Sequence, residues 1–218
     1  MSVLLIEAQY HPPAVFFAEL LGAAALQLDA HEHYRKQTYR NRCLILTAQG
    51  VLPLTVPVLD GSRSAKVKTA EIEIDYRQNW VYRHWRTLQT AYGGTPYFEF
   101  YADYLHDIYV RKLPRLLDLN TAFLRFYLRC LRLPVPVELT TEYLPPTAPH
   151  SLSPSSAHSP LLLDRRDWLT PKAPPMTPGP DRKSVREYPQ TFGKDFVPGL
   201  SILDLLFMQG PAAGAFLT

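Results

Sequence analysis

Val3-Leu4-Leu5-Ile6-Glu7-Ala8-Gln9-Tyr10-His11-Pro12-Pro13 is the stretch whose reading decides the fold. An aliphatic run bounded by prolines and lacking helical periodicity predicts a short strand, Val3 to Ala8, buried on both faces. Two prolines then suit the start of a helix, because the first helical turn needs no N–H from them. Helix-forming residues follow from Ala14 to Leu26, and Leu26 to Ala30 fits a second strand. Strand, helix and strand in that order point to an α/β layer fold.

Glu7, Gln9, Tyr10 and His11 therefore fall at the carboxyl end of the first strand. In an open parallel sheet that end faces the crevice where ligands bind, and the next helix offers free N–H groups. Four polar side chains leaving a buried strand need partners or water. They form either a solvated turn or one wall of a site, in which Glu7 and His11 are candidate catalytic groups and Gln9 and Tyr10 candidate binding groups.

Further along, Cys43–Thr47 and Val51–Leu59 suggest a hairpin around Ala48-Gln49-Gly50. The alternating Thr69–Asp75 segment predicts a half-exposed strand. Helices are expected over Asn79–Tyr92, from Pro96 to about Ile108 and over Leu113–Leu131, with a last strand over Val135–Thr141. The expected fold is thus α/β: a mixed or largely parallel sheet with helices packed on it, most strands lying in the first 75 residues. Residues 145–189 hold eleven of the 21 prolines and show no periodicity. The expected division is a main body over 1–144, a proline-rich, poorly ordered insertion over 145–185, and a C-terminal segment over 186–218. In that last segment Ser201 and Asp204 have capping-box spacing, and the apolar run Ile202–Phe207 must dock on the main body.

The second polar cluster runs from His31 to Arg42. Its bland reading is a charged, solvated loop. A functional reading gives Tyr34, Lys36, Asn41 and Arg42 a ligand-holding role, with Lys36 or Arg42 neutralising a phosphate or carboxylate and Asn41 fixing a polar group. His31 and His33 alternate as in an HxH metal site but lack a third ligand of suitable spacing, so no metal is assigned. His84 shares a helical face with Val81 and Leu88. It is either a core histidine or, if it opens into the crevice, the chain's best general base.

Composition excludes several classes. The net charge is only +3 and no basic stripe dominates, so nucleic acid is not expected. The longest apolar stretch is too short to span a bilayer and is broken by Glu19. No basic segment precedes the apolar start, and Cys43 and Cys130 read as free thiols, so the expected location is the cytoplasm. Walker A, GxGxxG, GxSxG and cysteine zinc patterns are all missing, and no cofactor is expected.

The stretches QYHPPAVFFAEL, HYRKQTYRNRC, NWVYRHWRTLQTAYGGTPYFEFY and YPQTFGKDFVPGLSILDLLFMQGP together resemble the WbqC-like protein family. The likeness covers roughly residues 1–144 and 186–211. It implies a bacterial protein associated with surface polysaccharide (O-antigen) synthesis, with glycyl or other amino-acid transfer as the suggested activity. Motif positions include Gln9, Pro13, Tyr34, Lys36, Asn41, Arg42, His84, Tyr92, Pro96, Gln190 and Phe192. Many members carry QPYFFP at the first turn, whereas this chain has Gln9-Tyr10-His11-Pro12-Pro13. The resulting expectation is a transferase using a small-molecule donor and a sugar or sugar-nucleotide acceptor. Its polar islands, from Gln9 through Asn41 and His84 to Gln190, would converge on one crevice. The alternative is a non-catalytic protein that holds a sugar nucleotide or a pathway enzyme.

Overall fold

The aliphatic start forms β1 (Ser2–Ile6) at the interior of an all-parallel four-stranded sheet. The computed structural model describes residues 2–59, 67–145, 161–171 and 183–218. On one side β1 pairs with β2 (Ala25–Leu28), placing Leu4 opposite Leu26, and β2 pairs with β5 (Val137–Leu139). On the other side β1 pairs with β6 (Leu161–Asp164), placing Leu4 opposite Leu163. Leu4, Leu5 and Ile6 are all buried, as a strand covered on both faces requires.

β6 falls within the stretch expected to be a proline-rich insertion. Three leucines between prolines show no period, yet they complete a neighbouring ladder whose register β1 supplies. Residues 146–160 and 172–182, on which the rest of that expectation falls, lie outside the described residues.

The helix after β1 is also shorter than its composition suggests. α1 spans only Ala14–Glu19, because the chain turns through Gly22 at φ 79° and enters β2 at Ala25. β3 (Arg42–Thr47) and β4 (Gly50–Thr55) form the expected hairpin as a separate antiparallel pair. Thr69–Asp75 is not a strand. A 3-10 turn covers Thr69–Glu71, and the following backbone bonds go to different segments, with Ile74 N–H to the Pro114 carbonyl and Asp75 N–H to that of Pro57. Ile72 and Ile74 are buried, so the alternation reported burial faithfully without a common ladder.

Three helices pack around these layers: α2 (Trp80–Tyr92), α3 (Phe98–Val110) and α4 (Leu116–Cys130). α5 (Ile202–Gln209) buries every residue from Ile202 to Phe207. Removing such side chains from water is worth about 1.5–3 kcal/mol each, which explains why this segment returns to the body. Ser201 caps α5 by accepting the Leu203 N–H at 3.3 Å. Asp204 does not close a capping box; it is drawn inward instead. Ile202 N–H reaches the Pro12 carbonyl and Ser201 N–H that of Leu44, so the C-terminal segment pins the first turn against β3.

Candidate functional site

Parallel strands bring their carboxyl ends to one rim, and here three of them end in an acid: Glu7 after β1, Asp29 after β2 and Asp164 in β6. The chain crosses from β1 to β2 on one side while β6 lies on the other, so the sheet order reverses between β1 and β6. Open α/β sheets bind ligands at such a switch point. Glu7 sits there at 1% exposure. One carboxyl oxygen accepts the Gln9 amide at 2.7 Å and the other the Asp167 N–H at 2.9 Å. Asp167 has φ 58°, a left-handed conformation that aims its amide at Glu7 while its carboxylate pairs with Arg40 at 2.9 Å and Arg35 at 2.8 Å. Arg40 forks onto Glu32, with Nε and Nη2 at 2.7 and 2.5 Å.

The electrostatics follow from this burial. Desolvation lifts the Glu7 pKa to about 7 although Arg40 pulls it down. Glu32 is raised for the same reason and held down by its bonds to Arg40. Burial works against the charge on Arg40, but Glu7, Glu32 and Asp167 together hold the guanidinium even more firmly charged than usual. Beside this cluster, Asp29 accepts the N–H groups of His31 and Glu32 and the Arg166 guanidinium at 2.7 Å. Arg166 in turn grips Asp164 and the Leu144 carbonyl, which ties the β2 and β6 ends together.

Tyr10 and His11 point the other way, into the core. Tyr10 Oη lies 2.9 Å from His84 Nδ1 and 2.6 Å from Tyr109 Oη; His11 Nε2 lies 2.6 Å from Tyr109 Oη, and its Nδ1 bonds Tyr127. One neutral arrangement satisfies every link. Tyr127 donates to His11, His11 to Tyr109, Tyr109 to Tyr10 and Tyr10 to His84, whose other nitrogen donates to the Thr55 carbonyl. Burial depresses the His84 pKa to about 4 and pushes that of His11 well below its ordinary value. Both imidazoles are neutral structural members of this chain at pH 7. His84, at 6% exposure, faces Trp80 and Tyr10 rather than the rim.

The remaining candidates bond directly to neither Glu7 nor the tyrosine–histidine chain. Gln190 donates to Asp204 at 3.2 Å and holds the Val197 backbone in both directions. Asn41 donates to the Val56 carbonyl at 3.0 Å, and Arg42 reaches the Thr55 hydroxyl at 3.2 Å. Lys36 is exposed. Tyr34 is buried, with its hydroxyl unpartnered and in the field of Arg40 and Arg42. The amide oxygens of Gln9 and Asn41 are also buried without a donor. Among the described residues no three acidic, histidine or cysteine side chains form a metal cluster, and both cysteines are free.

The structure therefore unites Glu7 with Gln9, and Tyr10 and His11 with His84. It leaves Asn41 and Gln190 in separate contacts, so the single crevice expected from sequence divides into a rim cluster and two buried networks. Arg40, Glu32, Asp29, Asp164, Arg166 and Asp167 were not singled out. A signal for two of them was present: like the run before Glu7, the apolar strand runs Leu-Gln-Leu and Leu-Leu-Leu are followed at once by an acid, Asp29 and Asp164.

Fold and rim together define a parallel α/β protein carrying an ion-paired carboxyl cluster at its topological switch point. The sequence profile described as the WbqC-like protein family matches residues 8–157 and 181–215, and the chain belongs to that family. Glu7 and the stretch 158–180, which carries β6 and Asp167, fall outside the matched segments. Uncharacterized protein Rv1507c of Mycobacterium tuberculosis is 28% identical over 242 aligned positions, covering 99% of this chain and 97% of that protein. No solved structure matches the chain. No helix among the described residues is long and apolar enough to cross a membrane.

Proposed function

We propose that the protein is a transferase that moves an amino-acid or related acyl group from an activated small-molecule donor to a sugar or sugar-nucleotide acceptor. Its setting would be the surface-polysaccharide synthesis of a bacterial cytoplasm. Glu7 carries the reading: a buried carboxyl at the carboxyl end of a central parallel strand, with a pKa of about 7. A general base works best when its pKa lies near the operating pH. Glu7 removes the proton from the acceptor's amine or hydroxyl as that group attacks the donor carbonyl; the carbonyl's bond to the donor's activating group then breaks, and that group departs as its anion or takes the proton held by Glu7. Gln9 and Tyr34 orient the acceptor through polar atoms that are buried without partners. Lys36 and Arg42 receive the donor's phosphate or carboxylate, and Arg40 sets the local potential. Tyr10, His11 and His84 hold the turn behind Glu7.

The second reading, a non-catalytic holder of a sugar nucleotide, draws support from the closure of both histidines into the core. One experiment separates the two. Purified protein is incubated with nucleotide sugars and activated amino-acid donors, and products are followed by mass. We expect many turnovers per protein, with kcat/KM rising through about pH 7 and falling roughly 10²- to 10⁴-fold in Glu7→Gln. Stoichiometric nucleotide-sugar binding without turnover would establish the holder instead.

A further inference from the structure

α3 and α4 present a face to solvent that the proposed chemistry does not use. Phe100 and Tyr104, one helical turn apart on α3, are each 63% exposed. Helices usually turn such side chains inward, and adjoining exposed rings mark contact surfaces. Tyr104 stacks at 6.5 Å on Phe126 of α4, itself buried, which fixes Tyr104 at the seam between the two helices. Farther round α3 from α4, Asp103 and Asp107 are exposed four residues apart. On α4, beyond Phe126, Arg125 and Arg129 are exposed at the same spacing. None of these four charges joins an ion pair among the described residues. Across the face the order is acid, ring, base, with exposed Glu99 extending the acidic edge and exposed Asp118 closing the far end of the arginine edge.

That order is self-complementary. A half-turn about an axis through the rings lays the acids of one copy on the arginines of the other and ring against ring. This is the condition for an isologous contact. We propose that the α3–α4 face is the interface of a two-fold dimer of this chain, centred on Phe100 and Tyr104. Two helices about 20 Å long and roughly 8–10 Å apart offer on the order of 400 Å² in projection. A stable complex buries about 800 Å² per partner, so the dimer is weak and reversible, in the micromolar range.

Sedimentation of the full chain over a range of concentrations tests this. At about 50 mM salt we expect a concentration-dependent monomer–dimer equilibrium, weakened at about 500 mM as the opposed charges are screened. Asp103→Arg with Asp107→Arg, and separately Arg125→Glu with Arg129→Glu, should each raise the dissociation constant at least about tenfold by placing like charges together. Mixing those two variants should restore a heterodimer, since one face is then predominantly basic and the other predominantly acidic. Thermal melts of both should match the wild type, because the four side chains are exposed. A monomeric wild type at the highest concentration in low salt would overturn the proposal, as would assemblies larger than two or a mixture that stays monomeric. A monomer that instead retards an anionic polymer through Arg125 and Arg129 would also overturn it, in favour of that ligand.

Discussion

Glu7 couples its environment to the stability of the whole chain. Its pKa rises from 4.5 to about 7 on folding, so between those values the folded state binds more protons than the unfolded state. The associated stability is present at low pH and is lost as pH rises through about 7. At 1.36 kcal/mol per pH unit the upper bound is about 3 kcal/mol. We expect the stability difference between wild type and Glu7→Gln to move in the variant's favour from pH 5 to pH 8 in thermal melts. Asp204 shifts in the same direction, but it is common to the two proteins, lies outside the Glu7 cluster and cancels. His84 has the opposite sign. Its pKa falls from 6.5 to about 4, so its contribution is lost as pH drops from 6.5 towards 4. His84→Ala removes the acceptor of Tyr10 and opens a cavity beside Trp80, which should cost roughly 2–4 kcal/mol in urea unfolding at pH 7.5. A loss under about 0.5 kcal/mol would mean that the tyrosine–histidine chain holds little together.

At the scale of elements, α5 is fastened by one carboxylate. Asp204 accepts the hydroxyls of Tyr92 and Tyr188 at 3.0 and 2.8 Å, besides Gln190. Asp204→Ala leaves all three without that acceptor in a buried place, and we expect a loss of roughly 3–5 kcal/mol, with faster amide exchange concentrated in α5 and residues 186–190. The elements most legible in the sequence were those whose pattern is written locally. β1 showed as an aliphatic run, the hairpin as two runs about Gly50, and α2 as a 3.6-residue stripe. What escaped depends on partners distant in the chain. Leu161–Leu163 becomes a strand only because β1 has a free side, and Thr69–Asp75 fails to become one because its neighbours differ at each residue. The rim was half legible for the same reason. Glu7 and Gln9 follow from their position after a strand, whereas Arg40 acquires meaning only when β2, β6 and the loop between β2 and β3 meet. His84 was readable as inward-facing, but its hydrogen-bond partners, Tyr10 and Thr55, come from remote segments.

Over the whole molecule, the most consequential feature is that the proline-rich stretch lends a strand to the sheet. β6 satisfies one side of β1, and Arg165 N–H extends that pairing by reaching the Leu5 carbonyl at 2.8 Å. Splicing Pro145 directly to Lys183 would look harmless on composition alone. It would strip the ladder from Ser2 to Leu5 and leave an aliphatic strand with bare amides and carbonyls, a template on which identical chains can stack. We expect the shortened chain to polymerise or pellet and to bind an amyloid dye, where the full-length chain stays dispersed. The least protein-like part of the sequence thereby supplies the strand that guards one side of β1 against edge-to-edge stacking.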